Sequence, residues 1–255
     1  MRILFLGNNW VGWQALRWLK EAGEDVVGLV WHPEAKRKFG PELLAAFGAG
    51  GGGGDPIDGS RLGEAQVLER IRALECDMAV SALFDYVVKP AFISLFPRGV
   101  VNLHPAMLPY NRGQYPNVWS IIEGTPAGTT LHYIDAGIDT GDIIAQRQVD
   151  VDPVDTGETL YRKLEKATVD LFRDTWPALK AGTAPRLPQG GAKGTFHRTR
   201  DVDGVDEIRL DATYTGRQLI DLLRARTFPP YRGAYIRAGG RKIHLRLDLE
   251  YGDDE

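Results

Sequence analysis

The sequence predicts an α/β fold, a doubly wound and mostly parallel sheet, followed by a small α+β C-terminal region. Three observations carry that expectation. An apolar run at residues 2–6 passes through the turn Gly7-Asn8-Asn9 into a helical pattern and emerges as a second apolar run at residues 26–31, the opening of such sheets. Two further buried runs, MAVSAL at residues 78–83 and VVNL from Val100, extend the series. A Pro- and Gly-rich stretch, AGTAPRLPQGGAKG, then separates this part from a last segment of different pattern.

The elements follow in order. A helix over residues 11–21 sets Val11, Ala15, Trp18 and Leu19 on one face. After the second strand comes AFGAGGGGGDPIDG, with five consecutive glycines. Amides of such a run can cradle phosphate, but no Lys-Ser/Thr follows and no helix opens on it, so it reads as a flexible surface loop. The next helix is expected around residues 63–74, then the strand at 78–83 and a fourth strand in VVNL. NVWSIIEG reads as a helix stopped by Gly124. TTLHYI from Thr129 and IIAQRQVDV from Ile143 alternate like two strands joined by the turn-rich DAGIDTGD, either a hairpin or a loop-linked antiparallel pair. A long helix runs from Thr159 to about Leu179, and the Pro/Gly stretch after it reads as a linker. The boundary is placed there, giving residues 1–185 as one domain and 186–255 as a small region with a short helix (GRQLIDLLRAR), a turn at FPPYRG and the strands AYIRAGG and KIHLRLDLEY.

Composition narrows the function. The 255 residues carry 31 basic against 34 acidic side chains, a formal charge of -3. That balance gives no electrostatic reason to expect a nucleic-acid partner, which needs a concentrated positive surface. The single cysteine, Cys76, has no internal partner for a disulfide, and the five histidines lie far apart in sequence, so no metal site is expected. No apolar run approaches the about 18 residues of a membrane span, and polar residues interrupt the N-terminal run. A cytoplasmic protein without a membrane partner is the expectation.

Chemistry concentrates at the end of the VVNL strand. Asn102 and His104 stand two apart, hence on one face of an extended segment, and ligands of open α/β sheets sit beyond the carboxyl ends of the strands. A carboxamide N–H stabilises a developing oxyanion and an imidazole moves protons. The same pair also fits a hydrogen-bonded histidine at a loop start. Pro105 and Pro109 bias the exit toward fixed, extended backbone. In IDAGIDTGDI the carboxylates Asp135, Asp139 and Asp142 crowd one glycine-bearing loop, which fits turn chemistry and lacks the spacing of a calcium loop. GNNWVG has glycine at both ends but neither the dinucleotide nor the P-loop fingerprint. It is open to two readings, an anion site at a helix start or a plain cap by Asn8 or Asn9.

Taken together, N-L-H-P, M-L-P, R-G, P-N-V-W-S-I-I-E-G, T-L-H and I-D-T-G-D-I resemble, in order and spacing, the formyltransferases that use 10-formyltetrahydrofolate. That group includes glycinamide ribonucleotide, methionyl-tRNA and nucleotide-sugar N-formyltransferases. The likeness runs from Met1 to about Leu179; Ala106 departs from it, standing where the family usually has Ser. The resemblance implies the formyltransferase variant of the Rossmann sheet, with Asn102, His104 and Asp139 as the catalytic residues. It also implies a pterin against the backbone around Leu83, Phe84, Tyr86 and Val88 and around Ile138, Gly141 and Asp142.

The resemblance further separates acceptors. LLRARTFPPYRGAYI and GTFHRTRD are similar to the small C-terminal region of the sugar enzymes, whereas the methionyl-tRNA enzymes carry a longer, basic end; the last residues here, LDLEYGDDE, are acidic. The implied acceptor is the amine of a UDP- or dTDP-linked amino-deoxy sugar, used for surface polysaccharide or glycan biosynthesis, and the implied assembly a homodimer. Phe228 or Tyr231 would stack the pyrimidine or merely pack the small region. Arg112, or the turn with Asn9 and Trp10, would meet the pyrophosphate or sugar; Arg112 also fits a solvated loop. A methionyl-tRNA formyltransferase and a formyltetrahydrofolate hydrolase share the three catalytic residues. Hydrolases usually carry an N-terminal regulatory domain, for which no room is expected before Arg2, so transfer is the expectation.

Overall fold

Side chains of the first strand, β1 (Arg2–Gly7), alternate between two cores: Ile3 and Phe5 enter one, Leu4 and Leu6 the other. A strand with a core on each face must lie inside a sheet covered on both sides. The computed structural model describes residues 1–48, 54–190 and 193–252. After β1 come α1 (Trp10–Glu21), β2 (Asp25–Trp31), α2 (Gly40–Gly48), β3 (Ile57–Asp58), α3 (Ala65–Arg72), β4 (Met78–Ala82), α4 (Pro90–Ile93) and β5 (Val100–His104). They are followed by β6 (Arg112–Gly113), α5 (Pro116–Glu123), β7 (Gly128–Tyr133), β8 (Ile143–Gln148) and α6 (Gly157–Ala181). The remaining elements are β9 (Phe196–His197), α7 (Asp203–Asp206), α8 (Gly216–Ala225), β10 (Tyr235–Ala238) and β11 (Arg241–His244).

The chain divides into two compact units, the first comprising Met1–Pro105, Thr129–Arg147 and Glu165–Gly191, the second Ala106–Gly128, Gln148–Leu164 and Ala192–Glu255. The first holds a seven-stranded sheet in the order β3-β2-β1-β4-β5-β7-β8. Its strands run parallel from β3 through β5, and β7 pairs antiparallel with β5. One core gathers Leu16 and Leu19 of α1, Leu43 and Phe47 of α2, and Phe172 and Trp176 of α6 over Val80, Val101 and Leu131 of the sheet. The other gathers Ile71 of α3 and Phe92 of α4 over Leu4, Leu6, Ala79 and Val100. This is the doubly wound, mostly parallel sheet that the sequence predicts.

The sequence reading passes over α2 because the glycines that follow it dominate the segment. Its Leu43, Ala46 and Phe47 are nevertheless spaced to face a core and are buried. Most of the glycine run, and with it the flexible-loop expectation for residues 50–53, lies outside the described residues. The expected linker is partly structured. Leu187 exchanges backbone hydrogen bonds of 2.9 and 2.8 Å with Ile143, adding an isolated bridge beside β8.

In the second unit, Val118, Trp119 and Ile121 of α5 meet Leu160, Leu164, Val202 and Ala225 in a small core. Gly124 ends α5 with φ 63°, as its position predicts. Arg224 is buried with its charge and donors matched locally, Nη1 donating to the Asp152 and Asp155 carbonyls and Nε to the Asp221 carboxylate. Two strands are shorter than their alternation suggests. The expected strand in IIAQRQVDV ends at Gln148, after which the Val149 amide turns to the Ala127 carbonyl. The strand expected through KIHLRLDLEY ends at His244, because β10 offers only four residues to pair with. Beyond it Leu245 donates to the Ala234 carbonyl and Leu247 to the Thr227 hydroxyl.

Candidate active site

The parity of β5 builds the centre. Val101 and Leu103 point into the core shared with α1 and α6, so Asn102 and His104 share the opposite face with Val100. That face turns from apolar to polar as the strand reaches its carboxyl end. Antiparallel pairing with β7 sets Asn102 opposite His132 and His104 opposite Thr130. Asn102 Nδ2 lies 3.2 Å from His132 Nε2, and His132 Nδ1 lies 2.8 Å from the Tyr133 carbonyl oxygen.

Asp139 arrives from the β7–β8 loop. Its Oδ2 stands 3.6 Å from His104 Nε2 and its Oδ1 3.5 Å from His132 Nε2, so one carboxylate lies near two imidazoles. The loop is tied down locally. The Asp135 carboxylate accepts from the Gly137 amide at 2.9 Å and from the Thr140 hydroxyl at 2.6 Å. Asp139 itself has φ 52°, a left-handed conformation that Asp tolerates better than most residues. At Gly141 a Cβ would fall 1.9 Å from the Tyr133 carbonyl oxygen, which only glycine avoids. The Gln189 side chain then donates to the carbonyls of Asp139 and Gly141 at 2.9 and 2.8 Å, holding the loop from the segment after α6.

The structure thus brings Asn102, His104 and Asp139 together within the first unit, and the side chains of His104 and Asp139 are mostly buried. Sequence reading missed His132 and Gln189. The signal for His132 was available, since a histidine inside TTLHYI must face either the core or the site, and the parity of Leu131 excludes the core. Gln189 had no such signal, because it acts from a Pro/Gly-rich stretch by a contact remote in sequence.

The other expected residues fall as follows. Asn9 caps α1, its Oδ1 accepting from the Gly12 amide at 3.0 Å while its Nδ2 donates to the Leu83 carbonyl at 2.9 Å. Both ends of that amide are therefore engaged, and Trp10, partly buried, packs on the first core. Leu83 has φ 49°, turning the chain out of β4. Phe84 and Tyr86 pack their rings 4.8 and 4.9 Å from His32, with Val88 buried nearby in the same cluster as Phe84. Burial holds the His32 pKa below the usual imidazole value, against the opposing pull of Asp85. Ile138 is exposed, and Asp142 pairs with Arg186 at 3.5 Å. In the second unit, Arg112 lies on β6, paired with β9. Phe228 stands 5.4 Å from the exposed Tyr231 and 5.6 Å from Tyr161.

An amide donor, an imidazole and a carboxylate at one strand end suit transfer of an acyl-type group, and the similarity to known proteins agrees. The model for "N-formyltransferase dimerization C-terminal domain" matches residues 201–251. A methionyl-tRNA formyltransferase from Anaeromyxobacter dehalogenans is 29% identical over 258 residues, covering 100% of this chain and 81% of its own length. A sugar N-formyltransferase structure from Shewanella sp FDAARGOS_354 has TM-score 0.83 and 25% identity, covering 99% of both chains. The formyltransferase PseJ from Anoxybacillus kamchatkensis, solved in complex with UDP-4,6-dideoxy-4-formamido-L-AltNAc and tetrahydrofolate, has TM-score 0.59 and 27% identity over 80% of this chain and 89% of its own. The family model described as "Formyl transferase" spans residues 34–175, including β5, the β7–β8 loop and Asn102, His104, His132 and Asp139, so the chain belongs to the formyl transferase family.

Proposed function

We propose that the protein transfers a formyl group from 10-formyltetrahydrofolate to the amine of a UDP- or dTDP-linked amino-deoxy sugar. The observation that carries the transfer is the approach of His104 Nε2 to Asp139 within 3.6 Å, beside Asn102 on the same strand face. Whole-length likeness to a sugar N-formyltransferase, 99% of both chains at TM-score 0.83, favours the sugar acceptor. The C-terminal match over residues 201–251 favours a homodimer.

The residues present suit a folate. Leu83 through Val88 leave regular structure, so their backbone groups are not all committed to the sheet, and the rings of Phe84 and Tyr86, with exposed Ile138, offer apolar surface to a flat heterocycle. The bound folate supplies a formyl carbonyl attached to nitrogen. Asn102 then donates an N–H to the formyl oxygen as negative charge develops there, a contact worth about 3 kcal/mol in comparable sites. His104, as neutral imidazole, accepts the proton of the attacking amine, and Asp139 stabilises the resulting imidazolium. The same ring returns a proton to the departing nitrogen. Phe228 and Tyr231 are the proposed platform for the pyrimidine. Arg112, or else the turn at Asn9 and Trp10, is the proposed partner of the pyrophosphate or sugar.

The test supplies 10-formyltetrahydrofolate with a panel of UDP- and dTDP-amino sugars and with charged initiator tRNA, following formyl incorporation by mass. A formylated nucleotide sugar supports the proposal. Formylation of tRNA alone replaces the acceptor with the one named for the Anaeromyxobacter relative. Formate with no formylated amine replaces transfer with hydrolysis.

A further inference from the structure

We propose that His132 is a positioning residue that fixes which way the Asn102 amide faces. The proposal rests on the reading of Asn102 as the donor to the formyl oxygen. His132 is 1% exposed and sits directly across the β5–β7 ladder from Asn102. Its ring has two nitrogens with different duties. Nδ1 is 2.8 Å from the Tyr133 carbonyl oxygen, which only accepts, so Nδ1 carries a hydrogen. In the neutral ring Nε2 is then bare, and the group 3.2 Å from it is Nδ2 of Asn102. The amide therefore donates into the ring. The flipped amide would set its oxygen against the same lone pair and lose the bond. An Asn side chain is otherwise close to symmetric in shape, so sterics alone do not choose between the two orientations.

The consequence is a defined division of the Asn102 donors. Among the described residues, His132 is the single hydrogen-bond partner of that amide. One N–H is spent on His132, and the other stays on a nitrogen whose position is set by a buried ring. Preorganised donors of this kind stabilise charge without reorientation during reaction. The Asp139 oxygen 3.5 Å from Nε2 does not compete while the ring is neutral, because carboxylate and bare imidazole nitrogen are both acceptors.

The experiment is a double-mutant cycle on formyl-transfer kinetics. His132→Leu removes the acceptor with little loss of volume; His132→Gln restores an acceptor oxygen. Expected for His132→Leu is a fall in kcat of about tenfold, the worth of one hydrogen bond, with KM for both substrates little changed. His132→Gln should recover most of the loss. In an Asn102→Ala background, His132→Leu should have almost no further effect, because there is no amide left to orient. An equal loss in both backgrounds, or no rescue by Gln, overturns the positioning role while leaving Asn102 as donor. A wild-type kcat in Asn102→Ala alone instead removes the donor reading itself. Should the Leu variant fail to fold, 15N NMR of the His132 ring in the unaltered protein decides the point. A neutral ring protonated at Nδ1 and bare at Nε2 supports the proposal, and protonation at Nε2 instead overturns it.

Discussion

Of the four buried imidazoles that lie within 4.0 Å of a carboxylate among the described residues, two make an instructive pair: His104, 3.6 Å from Asp139 in the first unit, and His197, 3.3 Å from Glu123 in the second. As pairs they are alike, yet their surroundings differ. Around His104 stand Asn102 on the same strand face, His132 opposite Asn102, and an Asp at φ 52° in a loop fastened by four hydrogen bonds. His197 lies flat on Trp119, ring centroids 4.0 Å apart and planes at 7°. On the proposed function the first imidazole exchanges protons at a strand end, and the second packs against an aromatic ring. A His–carboxylate pair is thus weak information until the donors around it are counted.

That contrast can be broken experimentally. The largest effect belongs to His104→Ala, which should lower kcat at least about a hundredfold with the melting temperature little changed, measured by steady-state formylation and thermal unfolding. Next comes Gly141→Ala. Its Cβ would collide with the Tyr133 carbonyl, so the loop that carries Asp139 must shift, and displaced catalytic groups cost about tenfold to a hundredfold in kcat. Equal activity in Gly141→Ala would show that the loop's placement does not matter.

His197→Ala sharpens the comparison from the other side. It should cost on the order of 2 kcal/mol in denaturant unfolding, through the lost ring stack and burial, and leave kcat within about twofold of wild type. A collapse of activity with intact stability would move His197 into the chemistry. The smallest effect concerns His32, whose pKa burial lowers. A lowered folded-state value means the unfolded chain takes up this proton first as pH falls. The stability His32 contributes is therefore present above the ordinary imidazole pKa of about 6.5 and lost as pH drops from there toward the folded value. Thermal melts of wild type and His32→Gln from about pH 8 to pH 5 should show the steeper acid decline in the wild type. Parallel curves would contradict it.

The sheet was legible because its signals are local. Apolar runs such as ILFLG and MAVSA are bounded by turns, and parity within VVNLH already placed Asn102 and His104 on one face. Elements that depend on distant partners were less so. Helix α2 was masked by its glycines, and KIHLRLDLEY alternates well beyond the four residues that β10 can pair. The site follows the same division. Asn102, His104 and Asp139 were recognised by motif, whereas His132 becomes informative only once the β5–β7 register is known, and Gln189 only once the chain returns to the loop. Asn9 shows the converse: a residue that sequence leaves open between cap and ligand uses both ends of its amide within the fold.

The central claim is that the strand-end centre polarises a formyl carbonyl, and the rate of formyl transfer at saturating substrates in Asn102→Ala addresses it most directly. With the fold verified by its circular dichroism, kcat should fall by about a hundredfold to a thousandfold, the effect of removing one oxyanion donor. A folded Asn102→Ala protein that formylates its acceptor at the wild-type rate would contradict the account.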